Sequence, residues 1–60
     1  MWQLVHVVTE GQDETMGEYD TEERALDAAR RAADDLAVLY VVRQDGEDVW
    51  TNETGAFERI

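Results

Sequence analysis

The sequence predicts an α+β domain: a small antiparallel β-sheet of three or four strands packed on one α-helix, in the order β-(β)-α-β-β. Three observations carry that prediction. Val38-Leu39-Tyr40-Val41-Val42 is an unbroken apolar run, followed by Asp45-Gly46 and a return through Val49-Trp50. Asp-Gly between two such runs is a strong hairpin signal, because a type I′ turn needs positive φ at both central residues. Between Ala25 and Leu36 the apolar positions recur at helical spacing, and residues 2–9 form a run rich in β-branched side chains. At 60 residues the chain makes one domain, 1–60, with one small core.

The first strand is read over 2–9. Trp2, Leu4, His6 and Val8 share one face, with Val5 and Val7 on the other. Apolar residues on both faces suit a central place in a sheet. Glu10 to Gly17 reads as a polar turn region, with a short strand over 16–19. The helix is expected over 21–36. Asp20 or Thr21 can cap it, Asp20-x-x-Glu23 has capping-box spacing, and Glu22 and Glu23 suit the positive end of the helix dipole. Its apolar stripe, Ala25, Leu26, Ala28, Ala29, Ala32, Ala33 and Leu36, is nearly all Ala. Such a helix can lie close to a sheet while contributing little area. Asp27–Arg31 and Arg30–Asp34 stand at i,i+4, each worth about 0.3 kcal/mol and less in salt.

The hairpin strands are read over 38–44 and 47–51. Counting outward from Asp45-Gly46, Arg43 faces Asp48 as an ion pair, Val42 faces Val49 and Val41 faces Trp50. Leu39, Val41 and Trp50 then share one face, and Val38, Tyr40, Val42 and Val49 the other; a one-residue slip would exchange the sets. Residues 52–60 form a tail in which Phe57 and Ile60 are apolar enough to dock.

Composition narrows the function classes. There are 15 acidic residues against five Arg and no Lys, for a net charge of −10. That bias repels nucleic acid and anionic lipid. With 43% apolar residues and clear strand and helix patterns, disorder is a poor reading. The acidic surface of a protein from an extreme halophile is a better one, since in molar salt the Debye length falls to about 3 Å and self-repulsion is screened. Cys is absent, which removes disulfides and thiolate metal sites. No apolar run reaches membrane-spanning length, no secretion signal is evident, and a cytoplasmic location is expected.

Candidate chemistry is sparse. His6 is the one histidine, set between Val5 and Val7 with no Cys or Ser in the chain to form a nucleophilic pair; it reads as a packed residue. Glu10, Asp13, Glu14, Glu18 and Asp20 lack an EF-hand pattern and read as a solvated loop. Trp2, Tyr19, Tyr40 and Trp50 could stack on bases, but single-strand binders pair such rings with a positive groove. Asn52-Glu53-Thr54 matches the glycosylation acceptor pattern without an export signal. No enzymatic activity and no cofactor are expected.

Tyr19-Asp20-Thr21-Glu22-Glu23-Arg24-Ala25-Leu26-Asp27-Ala28-Ala29-Arg30, followed by a strand and Asp45-Gly46, resembles a family of small bacterial and archaeal domains of unknown function. In that family an aromatic-Asp-Thr cap opens an Ala-rich helix that is followed by a β-hairpin. The resemblance spans residues 4 to 55 and implies a fold, not an activity.

One helix can cover one side of the sheet, whereas the strands are apolar on both. The second face is therefore expected to meet a partner, because soluble monomers rarely expose several hundred Å² of contiguous apolar surface. The expected function is that of a small non-enzymatic protein-interaction module, a homodimer or a module docking on another protein. Trp2, Leu4, Leu39, Val41 and Trp50 are the expected interface residues, since aromatics are enriched at such surfaces. The other reading is a small-molecule or metal-ion binder that uses the acidic loop 10–20 or an intersubunit groove near His6.

Overall fold

The computed structural model describes residues 1–9, 11–33 and 38–60, without the side chain of residue 9. β1 (Trp2–Thr9) and β2 (Gln12–Tyr19) form a first hairpin and are followed by α1 (Glu22–Ala32). β3 (Leu39–Gln44), β4 (Glu47–Thr51) and the two-residue β5 (Glu58–Arg59) complete the chain. All neighbouring strands are antiparallel, in the spatial order β2-β1-β3-β4-β5. β1 and β3, apolar on both sides, occupy the interior of the sheet.

This corrects the expected architecture. The sheet has five strands rather than three or four, and the chain order is β-β-α-β-β-β. The two differences share a cause. β2 runs through Gln-Asp-Glu-Thr-Met-Gly-Glu-Tyr, is almost wholly exposed, and lies at an edge. Nothing requires its side chains to alternate, so hydropathy reveals only its last four residues. Its stability comes from backbone pairing with β1. β5 is too short to carry any pattern. It is held by tertiary contacts, including the Ile60 N–H donating to the Val49 carbonyl at 2.9 Å.

The helix begins on Thr21, whose extended backbone and Oγ acceptor for the Arg24 N–H (3.2 Å) make it the N-cap. Asp20 instead pairs with Arg24. The helix ends at Ala32, with Ala33 as its C-cap donating its N–H to the Ala29 carbonyl at 2.9 Å; residues 34–36 of the expected helix 21–36 lie outside the described residues. The pair Asp27–Arg31 closes at 3.1 Å. Ala25, Leu26 and Ala29 are buried against Leu4, Tyr40 and Val42, and Trp2, Tyr19, Val38, Trp50 and Phe57 pack around that cluster. The core thus lies on one side of the sheet. Phe57 brings the tail into it, while Ile60 remains 70% exposed.

Two local features set the register. Asp45 and Gly46 both have positive φ (50° and 86°), as a type I′ turn requires. Arg43↔Asp48 follows, but the next pair is Val42↔Trp50, which leaves Val49 as an extra residue. This bulge overturns the expected pairs Val42–Val49 and Val41–Trp50. One unpaired residue advances β4 by one position and turns Trp50 onto the helix side. Beyond β4, the Asn52 side chain extends the ladder. Its Oδ1 accepts from Tyr40 N at 2.7 Å and its Nδ2 donates to Val38 O at 3.0 Å. The nitrogen of the glycosylation-like tripeptide is therefore already engaged.

Candidate interaction surface

The five residues expected at an interface lie on two sides of the sheet. Trp2, Leu4 and Trp50 belong to the core cluster beneath α1. Leu39 and Val41 point to the opposite side, in register with Val7 and Val5 of β1. The bulge accounts for Trp50. Trp2 and Leu4 follow from strand alternation, because Leu4 is in register with Val42 and so shares its face.

Trp50 is fixed where it is. Its indole N–H donates to Glu22 Oε2 at 3.2 Å, and the same oxygen accepts from Arg59 at 3.3 Å. The Arg59 guanidinium stands 5.1 Å from the Trp50 ring centroid, in cation–π geometry. One carboxylate at the first turn of the helix thereby ties α1 to β4 and β5. It also places negative charge at the positive end of the helix dipole.

The face opposite the helix carries Val5, Val7, Leu39, Val41, Arg43 and Thr51, with Asp13 and Asp48 towards its margins. Arg43 is the feature that sequence reasoning half found. Its Nε donates to Asp48 Oδ1 at 2.7 Å, the expected cross-strand pair, and its Nη2 donates to Asp13 Oδ2 at 3.2 Å. Arg43 is in register with Gln3 and Asp13 with Val7, with Val5 between them on β1. The arginine side chain must therefore run diagonally over Val5. That crossing explains why Val5 is 0% exposed and Val41 only 7% on a face that no helix covers. The hydrogen bond to Asp48 raises the Arg43 pKa above its ordinary value; burial opposes the rise and Asp13 adds to it. Arg43 is charged at any working pH. Asp13 was not foreseen as its partner because the position of β2 was not legible.

Arg43 shields only part of this face. Val7, Leu39, Val41, Thr51 and Ile60 surround a shallow hollow of about 440 Å³, bounded by Asp13, Arg43, Asp48 and Glu53. Among the described residues no main-chain segment lies over it.

The remaining candidates disperse. His6 is half-buried on the helix side, its ring 5.4 Å from that of Tyr40 at 35°, and its cross-strand neighbour on β2 is Glu14. Of the acidic loop, Glu10 lies outside the described residues, Asp13 turns to Arg43, and Asp20 turns to Arg24. Among the described residues no three of His, Cys, Asp or Glu are grouped as metal ligands, and no helix is long and apolar enough to cross a membrane. No protein-family model, no curated protein and no solved structure matches the chain.

Proposed function

We propose that the chain is a small, non-enzymatic interaction module that pairs with a second copy of itself through the face opposite the helix, in the cytoplasm of a halophile. The observation that carries this reading is the hollow around Val7, Leu39, Val41 and Ile60. Its apolar centre and charged rim are the usual anatomy of an interface. Strand rise and spacing give the sheet an outline of roughly 26 by 19 Å, or about 500 Å²; a copy that buries about 800 Å² per chain must therefore use the whole face and its margins, the exposed Ile60 among them. Charge sets the condition, because two copies each bearing −10 repel one another unless salt screens them. The lack of Lys, with Arg as the only strongly basic residue, suits that environment.

Size-exclusion chromatography with light scattering in molar KCl tests the reading. The expected mass is twice 6.9 kDa, falling to that of a single chain in Leu39→Asp and Ile60→Asp variants that keep the circular dichroism of the parent. A parent that elutes as a single chain at high concentration overturns self-pairing. A mass that rises only when another protein is added transfers the face to that partner.

A further inference from the structure

We propose that the outer edge of β2 from Thr15 to Tyr19 is a docking site for an extended basic peptide segment, which adds to the sheet beside β2 as a further strand. This site is separate from the face opposite the helix and does not depend on pairing there. β2 lies at the sheet edge over 8 residues, whereas the opposite edge, β5, has 2. The outer row of N–H and C=O groups of an edge strand is a template for an added chain, whose backbone bonds supply affinity and whose alternate side chains supply specificity.

The two flanks of this edge differ in chemistry. By register, Glu14, Gly17 and Tyr19 lie on the helix side, opposite His6, Leu4 and Trp2; Asp13, Thr15 and Glu18 lie on the other, opposite Val7, Val5 and Gln3. On the helix side a groove of about 490 Å³ opens between the strand and α1, lined by Tyr19, Arg24, Asp27, Ala28 and Arg31. Gly17 leaves room for the Tyr19 ring that lines it. The Tyr19 ring leans back over Gly17, so that a Cβ there would stand 2.9 Å from the Tyr19 hydroxyl. An added strand would direct one row of side chains into this groove and the other towards Thr15 and Glu18. The complementary segment alternates apolar residues on the groove side with Lys or Arg on the other. Met16, the extra residue in β2 opposite the Leu4–Val5 step, bends the strand, so the contact centres on Gly17–Tyr19 beside the groove.

Charge decides between a foreign segment and a second copy. β2 against its own duplicate would set Glu14 and Glu18 near like charges, which destabilises cross-strand pairing; Asp13 is already paired with Arg43. A basic strand meets the same residues favourably. The acidic side chains therefore disfavour self-association at this edge, most strongly at low salt, and favour an oppositely charged chain.

The test is an NMR titration of ¹⁵N-labelled protein with a blocked peptide of alternating Lys and Val, as long as the 8-residue β2, at the lowest salt that keeps the protein folded. A second peptide has the same composition but separates the Lys and Val into two blocks. Saturable amide shifts along Thr15–Tyr19 and at Ala28 are expected with the alternating peptide. Binding should weaken about tenfold or more with the blocked sequence and with Glu14→Lys/Glu18→Lys protein. Equal binding of both peptides, or shifts spread over the whole acidic surface, would reduce the effect to counterion attraction and overturn the proposal. Shifts along β2 that depend on protein concentration without peptide would assign the edge to a second copy and overturn it equally.

Discussion

The two faces of this sheet solve the same problem with different means. On one side, α1 covers Leu4, Tyr40 and Val42, and the two tryptophans and Phe57 close the margins. On the other, a single arginine side chain reaches from β3 across β1 to Asp13 on β2, with Asp48 on β4 holding its near end. A valine is fully buried on each side: Val42 on the helix side and Val5 on the side that the arginine crosses. The two devices differ in extent. An eleven-residue helix covers a face, whereas a guanidinium and its stem cover a diagonal and leave Leu39, Val7 and Ile60 partly or largely open. The comparison shows that counting helices underestimates how much lid a short, charged chain can supply, because the aliphatic part of an arginine is apolar surface in its own right.

The sharpest way to test the asymmetry is a pair of leucine truncations. Leu4 is 3% exposed beneath the helix, so Leu4→Ala should cost about 2–4 kcal/mol. A 60-residue single core rarely supplies more than about 3–5 kcal/mol in total, and this variant should be largely unfolded. Leu39 is half-buried on the open side, and Leu39→Ala should cost about 1 kcal/mol. Urea denaturation in molar salt and dilute solution, followed by circular dichroism, compares them directly. Equal losses would mean that the open face is covered in solution as fully as the helix side, and the distinction would fail.

What the residues revealed in advance followed where burial imposed a pattern. The interior positions of β1 and β3, the Asp45-Gly46 turn, the cap region and the Ala stripe each combine local chemistry with one-sided packing, and each was readable. β2 was legible only at Met16–Tyr19, since a solvated edge strand places no demand on hydropathy. The fifth strand is specified by contacts with β4 and by nothing local. At the candidate surface, Trp2 and Leu4 depend on the register of β1 against β3, which two apolar faces leave open, and Trp50 depends on one extra residue. A regular ladder places Trp50 beside Val41, and no residue type between Asp48 and Thr51 announces the bulge. The Arg43–Asp48 pair survived because it lies on the turn side of that irregularity, whereas Asp13 was out of reach without the register of β2.

The arginine can be tested next. Arg43→Ala removes the cover from Val5 and Val41 and leaves Asp13 and Asp48 without their shared partner. A loss of about 1–2 kcal/mol is expected, mostly from packing, because pairs this exposed add little in salt. Arg43→Lys retains most of the stem but has no fork to reach two carboxylates, and should lose about half as much. Increased binding of a hydrophobic fluorescent dye by the Ala variant alone would identify the uncovered valines. An Arg43→Ala protein as stable as the parent would mean that the side chain shields nothing.

The smallest change tests why the faces divide as they do. If Val49 is the residue that turns Trp50 under the helix, its deletion should not send Trp50 back. With Asp48 still opposite Arg43, the residue that follows is then Trp50 itself, directly opposite Val42 in an unbroken ladder. The shortened strand thus reaches the same face by regular pairing that the natural one reaches by a bulge. The expected cost is about 1 kcal/mol, since the bond from the Ile60 N–H to the Val49 carbonyl must be re-formed or lost. In a Trp2→Phe background Trp50 is the sole emitter, and its fluorescence should stay blue-shifted after the deletion. A red-shifted, quencher-accessible Trp50 would show that the ladder had slipped to set Trp50 on the side of Val41, away from Val42. Side choice would then rest on the bulge itself, because the packing around Glu22 and Arg59 had failed to hold the ring.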